Sequence, residues 1–513
     1  MLHTNILNNY QQEIMNKCIK LGSAGLSLKM GYGKTLISLI TSLHFIKDDV
    51  FKKVLIIVPK TLIGSWTNEI EKYLKDFKYK YIEKDHNEED DIIFFITTPD
   101  IILKSYKKLM ISCTENVNNI TYYNYPNGPL ETRSNSFFYG TTFNTLIIDE
   151  IHKFNNSDTL KCKALGSIYA GHRFLLSGTI LDEPNINKIL GYNILINKGP
   201  NNIQEIKNLL NNKSKSIDIF NGTLIQDNNY DNKIEYETHI IEHKLNDTEQ
   251  LIYDTLKNTI YEVNKNNEHD DNILSLITYI RQGIISPVFP IINILMDQYM
   301  NNNGPYNVLQ KLVFNNDKLS AWLNDETSLK SSRITEVLKV VSKHKGSKIV
   351  IFTSFRTSVD IIKYFIPDSL TIDSSKSYHE RIQIIDDYKT KNDKNVLILT
   401  YNIGAEGLNL QVANILIIVD FWWNIYKTNQ AIARVIRRGQ TSKNLHIYFF
   451  TSNTGIEKAL FCKQYDKLIL SKELENGLMK TKITRLKVKD ILNIINEYEN
   501  VSLLKRVEDF DNK

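Results

Sequence analysis

Leu28-Lys29-Met30-Gly31-Tyr32-Gly33-Lys34-Thr35 lies between two apolar stretches near the start of the chain and reads as a phosphate-binding loop. Gly31 and Gly33 allow a tight turn whose backbone N–H groups point at phosphate oxygens. Lys34 reaches the β- and γ-phosphates, and the Thr35 hydroxyl takes a Mg²⁺ position. Leu36-Ile37-Ser38-Leu39-Ile40 continues as a helix whose N-terminal dipole favours an anion. The strict pattern has Gly where this chain has Leu28. A Gly-Lys-Thr by itself is equally at home in a surface turn, so the surrounding sequence decides.

Outward from this loop, short β-rich apolar runs alternate with helical patterns in two regions. The first contains Val54–Val58, Ile92–Ile96, Leu146–Ile148 and Phe174–Leu176; the second contains Ile349–Phe352, Val396–Leu399, Ile415–Val419 and Ile447–Phe450. Near-continuous apolar runs of this length are the pattern of parallel strands buried on both faces. The expected fold class is α/β, with two doubly wound parallel-sheet lobes. Between them, Gln250–Leu256 and Ile273–Ile280 favour helix among Asn-rich connections, so a mainly helical insertion is expected. The expected organisation is residues 1–202 as the first lobe, 203–331 as the insertion, 332–470 as the second lobe and 471–513 as a helical tail. Residues 107–142, rich in Asn, Tyr and Gly, are expected to form a surface loop.

Bulk properties set outer limits. The 513 residues exceed what one core organises, and about three domains are expected. A formal charge of +5 permits a polyanionic partner without arguing for one. No apolar run reaches the roughly 18 residues of a membrane helix, and the N-terminus lacks the layout of a secretory signal. Cys18, Cys113, Cys162 and Cys462 are widely spaced, with no Cys-x-x-Cys pair, which disfavours disulfides or a zinc site and fits a reducing, intracellular compartment. The bias toward Asn, Ile, Lys and Tyr suggests an AT-rich coding genome.

Further along, Leu146-Ile147-Ile148 runs directly into Asp149-Glu150-Ile151-His152. An acidic pair at the C-terminal end of a buried strand is where α/β sheets place ligand chemistry. Asp149 is expected to hold Mg²⁺, and Glu150 to polarise the water attacking the γ-phosphate. Ser177-Gly178-Thr179 follows the next strand and by itself reads as a turn. In the second region, Arg434 and Arg437 lie three apart and share one helical face. Two guanidiniums projecting together suit a triphosphate, and apolar Ala431, Ile432, Val435 and Ile436 crowd them into an aimed, partly buried position.

These elements, in this order, resemble the superfamily 2 helicases and translocases, specifically the branch of Snf-type chromatin-remodelling ATPases. Asn9-Tyr10-Gln11-Gln12 matches the family's adenine-recognising motif, with Gln11 at the glutamine position. Val58-Pro59-Lys60, with Trp66 and Glu69–Lys72, resembles the next motif; Ile96-Thr97-Thr98 resembles a strand-tracking threonine motif. The resemblance assigns Thr97, Thr98, Ser177, Thr179 and Gly407, within Gly404–Leu410, to coupling and nucleic-acid contact. Lys348–Phe355, Asp420-Phe421-Trp422-Trp423-Asn424, the segment Arg434–Gln440 and Tyr279-Ile280-Arg281-Gln282 with Pro287 extend the likeness over nearly the whole chain. Lys29, Ile151, Ile180 and Ile425 depart from the family pattern without removing a phosphate-, metal- or water-handling group, which points to a divergent, viral or plasmid-borne member.

The resemblance implies two RecA-like lobes, ATP and Mg²⁺ as cofactors, and an ATP hydrolase stimulated by nucleic acid, with DNA favoured over RNA. It implies an ATP cleft closed by Arg434 and Arg437, with nucleic acid stepped along by opening and closure. A polymerase or transcription complex is a further candidate partner, and a membrane is not. The rival readings are an RNA helicase or polymerase-associated transcription ATPase, and a non-hydrolysing clamp that binds ATP as a structural ligand. No appended reader domain is evident in the sequence, which favours a minimal translocase or helicase. Cytoplasm or a viral factory is the expected location, with virion packaging and the nucleus both compatible.

Overall fold

The computed structural model describes residues 6–28, 31–47, 49–85, 92–112, 114–117, 120–123, 136–181, 185–200, 202–211, 220, 222–226, 234–265, 270–290, 330–404, 408–422, 425–436, 440, 442, 444–462 and 464. The chain divides into two compact units: residues 1–232 with 467–483, and residues 233–466 with 484–513. The expected helical tail, residues 471–513, lies outside the described residues.

The first unit is built on β1 (Ala24–Ser27), β2 (Val54–Ile57), β3 (Tyr79–Tyr81), β4 (Phe94–Thr97), a separate hairpin of β5 (Thr114–Val117) and β6 (Ile120–Tyr123), then β7 (Phe143–Asp149), β8 (Ala170–Ser177) and β9 (Leu224–Gln226). Seven of these form one sheet in the order β3-β4-β2-β7-β8-β1-β9. Every pairing in that sheet is parallel. Alternate side chains feed two cores. Leu55, Ile57, Leu146 and Ile148 pack on one face, while Val54, Ile56 and Ile147 pack on the other. Burial on both faces is why these strands read as unbroken apolar runs rather than as alternation. The Lys34–Ile46 helix, buried over most of its length, covers the second face.

In the second unit, β10 (Glu237–His243), β11 (Ile349–Thr353), β12 (Leu370–Ile372), β13 (Val396–Thr400), β14 (Ile415–Ile418) and β15 (His446–Ser452) form a six-stranded sheet. Its order is β10-β15-β14-β11-β13-β12, again parallel throughout. Val350 and Phe352 face one core, Ile349 and Ile351 the other. Each of the eight apolar runs named from the sequence forms a strand, with Val58, Ile92, Ile93 and Val419 lying just beyond the strand ends, and the protein is α/β with two parallel-sheet lobes.

Two segments differ in detail from the expectation. The stretch 203–331 is shared between the units: β9 completes the first sheet, β10 edges the second, and the Asp247–Lys265 and Asp270–Ile285 helices follow. The stretch 107–142 is not simply a surface loop. Its first residues extend the Pro99–Ser112 helix, and Phe137, Phe138 and Tyr139 are buried in the first lobe's core. The polar composition of the segment hid this short aromatic anchor, in which Phe137 packs tilted against Phe95 and edge-on against Phe143.

Candidate nucleotide-binding site

Because the first sheet is parallel, the loops after β1, β7 and β8 leave its same edge. β8 lies between β1 and β7, with Ser27 opposite Ser177 and Asp149 opposite Leu176. Three sequence-distant signals are thereby gathered at one place: the loop to Lys34, the acidic Asp149–Glu150, and Ser177-Gly178-Thr179. This is the edge of a doubly wound sheet where ligands bind.

The loop has left-handed backbone at Gly31 (φ 85°) and Gly33 (φ 80°). A Cβ on Gly33 would sit 2.1 Å from Gln11 Nε2. The left-handed backbone favours glycine there, and a side chain would also displace the Gln11 amide. Gly33 is the N-cap of the 13-residue Lys34–Ile46 helix and offers no side-chain cap. The first-turn amides are left for an anion. Lys34 Nζ donates to the Leu28 carbonyl at 2.7 Å, and the Leu28 N–H donates to Ser177 O at 3.2 Å. Leu28 is fully buried, so the position that departs from the strict glycine pattern serves as an apolar anchor for the loop. Gln11 sits at the third position of the Asn9–Leu21 helix. Its Oε1 accepts from Asn8 N–H at 3.1 Å in a capping box, while its Nε2 reaches Tyr32 O at 3.5 Å. Tyr10 packs edge-on against Tyr32, with ring centroids 5.8 Å apart.

Asp149 closes β7 and is buried. Its Oδ2 accepts from Trp66 Nε1–H at 2.9 Å and its Oδ1 from the Glu150 N–H at 2.9 Å. Burial, and then the neighbouring Glu150, push its carboxyl above the usual range, against the opposing pull of Trp66 and Lys34. Glu150 carries a left-handed backbone (φ 51°), a strained conformation costing about 1–2 kcal/mol for a non-glycine residue. Its Oε2 is buried without a hydrogen bond, and His152 Nδ1 lies 3.3 Å away. Two carboxylates at a buried strand end, one of them lacking a hydrogen bond, fit a divalent cation and a polarised water.

Ser177-Gly178-Thr179 is more than a turn. Ser177 is fully buried, and its Oγ donates to Thr179 O at 2.5 Å while accepting from Thr179 N–H at 3.1 Å. The same Oγ lies 2.9 Å from His152 Nδ1. Since the serine proton is used on Thr179, His152 Nδ1 must donate. His152 thus links the loop after β8 to Glu150. Trp66 and His152 are the contributors that reading the sequence for chemistry passed over. The signal for Trp66 was an indole beside an apolar helix face, and for His152 its place two residues after Glu150.

Other expected residues fall differently. Thr97 is fully buried with its hydroxyl on Ile82 O at 3.0 Å, so it secures the end of β4. Thr98, almost buried, accepts through its carbonyl from Ile101 and Ile102 and starts the next helix. Arg434 is buried on the Ile425–Val435 helix beside buried Ala431 and Val435. Gly407 and Arg437 lie outside the described residues. The departures Ile151 and Ile180 are both fully buried in the first lobe's core, where they add apolar contact.

Residues 10–212 match the family model described as SNF2-related domain, and residues 330–439 match helicase conserved C-terminal domain. The ISWI chromatin-remodeling complex ATPase ISW2 of Saccharomyces cerevisiae is 26% identical over 506 residues, covering 90% of this chain and 40% of its own length. The 172L protein of invertebrate iridescent virus 6 is 24% identical, with 87% of this chain and 84% of its own length covered. A solved Sulfolobus solfataricus SWI2/SNF2 ATPase core in complex with dsDNA is 18% identical at a TM-score of 0.38, covering 93% and 97% of the two chains. The chain spans 40% of the length of the two yeast ISWI relatives.

Proposed function

We propose that this chain, which belongs to the SNF2-related branch of the superfamily 2 helicases and translocases, couples ATP hydrolysis to movement along nucleic acid, with duplex DNA as its track. It carries a SNF2-related ATPase and helicase core and is an ATP-hydrolysing enzyme. The observation that carries the reading is the convergence of Lys34, Asp149, Glu150 and the Ser177–His152 link on one edge of the first sheet. Lys34 and the uncapped amides after Gly33 receive the triphosphate, and Gln11, against Gly33 and Tyr32, borders the base. Thr35 and Asp149 hold Mg²⁺, which when bound screens phosphate charge. Glu150, lacking a hydrogen bond at Oε2, orients the attacking water and takes its proton. Arg434 and Arg437 supply the cations that stabilise charge developing on the transferred phosphoryl group.

Through His152, the state of Glu150 is felt at Ser177 and Thr179, which supports a role for that loop in coupling. Coupling of this kind moves a track when γ-phosphate loss changes the lobes' preferred arrangement. The viral relative, matched over most of its own length, supports a viral role in transcription, replication or repair.

The test is steady-state ATP hydrolysis by the full chain with duplex DNA, single-stranded DNA or RNA, alongside strand displacement. Wild type is expected to be stimulated most by duplex DNA. Lys34→Ala and Glu150→Gln each lose at least about 100-fold in turnover. Turnover like that of wild type in either variant would sink the site assignment, and stimulation by RNA alone would overturn the choice of track.

A further inference from the structure

β10 is the edge strand of the second sheet and pairs in parallel with β15. Glu237 is the Cα partner of His446, and His239 is that of Tyr448. Residues two apart on a strand share a face, so the register puts Glu237, His239, His446 and Tyr448 on the same side of the sheet. There the ligating atoms converge. His239 Nε2 lies 3.1 Å from His446 Nδ1, Glu237 Oε2 is 3.3 Å from His446 Nδ1, and Glu237 Oε2 is 3.6 Å from His239 Nε2. Donor atoms on a zinc ion at about 2.0–2.2 Å, spread tetrahedrally, lie about 3.3–3.5 Å from each other. The observed triangle is within a few tenths of an ångström of that.

Three atoms with lone pairs facing one another are an awkward arrangement for protons alone. A single N–H between the two imidazoles satisfies that pair and leaves the carboxylate to compete for it. A divalent cation at the centre would satisfy all three. The imidazoles are also held in place. Tyr448 stacks on His239 with centroids 4.5 Å apart and planes 15° apart, and its hydroxyl lies 2.7 Å from Nε2 of His344, the residue capping the Ser332–Lys343 helix. The side chains stay accessible, with His239 33% and Glu237 71% exposed, so an ion can enter.

We propose that Glu237, His239 and His446 form a divalent transition-metal site, best suited to Zn²⁺, that fastens the edge strand β10 to β15. Two imidazoles and one carboxylate suit zinc better than Mg²⁺ or Ca²⁺, which prefer all-oxygen shells. The fourth position is left to water or to an incoming donor. This site shares no residue with the nucleotide site. Its role is structural: it pins the strand by which the chain enters the second unit, since that unit begins at residue 233.

The experiment is calorimetric titration of the metal-stripped, nucleotide-free full chain with Zn²⁺, with thermal unfolding followed in Zn²⁺ and in chelator. Wild type is expected to take up Zn²⁺ at this site and to melt several degrees higher with it. His239→Ala/His446→Ala should weaken that uptake by more than about 100-fold, beyond the 10–100-fold typical of losing an outer partner, and should lose the thermal shift. Co²⁺ serves as an optical probe that needs no variant: the wild-type chain should develop visible absorption that Zn²⁺ abolishes. Equal Zn²⁺ uptake by the double variant, or no metal-dependent absorption in wild type, would overturn the proposal.

Discussion

Asp149 shows how a single residue can be set against the stability of its own fold. Its two oxygens are bonded to Trp66 and to the Glu150 amide, yet burial beside a second carboxylate raises its pKa. A carboxyl raised in the folded state holds a proton that the unfolded chain has already released. Its favourable contribution is therefore present at acid pH and lost as pH rises through the raised value. At neutral pH the metal-free protein carries the cost, and a bound divalent cation would relieve it. Asp149→Asn removes the charge but keeps only one of the two accepted bonds, so it should raise the stability of the metal-free chain by up to about 2 kcal/mol at pH 7.5. It should also flatten the pH dependence between about pH 4 and about pH 6, the interval between the ordinary and the raised carboxyl value, and abolish Mg²⁺-dependent hydrolysis. Urea unfolding at several pH values, beside an ATPase assay, checks all three outcomes. A destabilised Asn variant would mean that the Asp149 charge is fully compensated by its neighbours.

Between elements, the second unit is tied together by charges inside its core. Arg333, on the Ser332–Lys343 helix, is fully buried and pairs with Glu457 at 2.5 Å. It also donates to the carbonyls of Val419 and Phe450 and, through Nε, to His243 Nε2 at 3.3 Å. One guanidinium thus joins the ends of β10 and β15 and the residue after β14 to a helix. A second, Arg281, donates to Phe421 O at 2.5 Å and lies 3.7 Å from Asp420, whose Oδ1 accepts from Thr353 and Ser354. Breaking such a pair strands a buried charge, so Arg333→Ala should cost about 3–5 kcal/mol in denaturant unfolding. Arg333→Met/Glu457→Met, which leaves no charge behind, should cost less than the single variant. If the double replacement is the more damaging, the carbonyl bonds rather than the ion pair hold these elements.

Across the whole chain, the formal charge of +5 is modest for the movement on a polyanion proposed above. Binding along a track calls for phosphate contacts spread over the surface, because base-edge contacts would stop movement at preferred sequences. Affinity for a duplex oligonucleotide should therefore fall at least about tenfold between roughly 50 and 200 mM salt, the loss for as few as two phosphate contacts. Two duplexes of unrelated sequence should bind within about threefold of each other. Fluorescence anisotropy checks both, and a salt-independent or strongly sequence-selective affinity would contradict backbone tracking.

Local sequence was sufficient wherever the physics is local. Apolar runs buried on both faces marked eight strands, Gly31 and Gly33 marked a left-handed turn, and Asp149–Glu150 after Leu146–Ile148 marked the carboxylates. It could not supply partners that meet only after the sheet is ordered. That β8 lies between β1 and β7 decides that His152 meets Ser177. Trp66 reaches Asp149 across 83 positions, and Thr97 bonds to Ile82 O across 15. Glu237 and His446 are separated by more than 200 residues and are joined only by the pairing of β10 with β15. The sequence by itself determined the α/β class, the glycine turn before the Lys34–Ile46 helix and the acidic pair, because backbone preference and hydrophobic periodicity act over a few residues. Strand order and register, which fix who faces whom across the sheet, belonged to the tertiary structure alone.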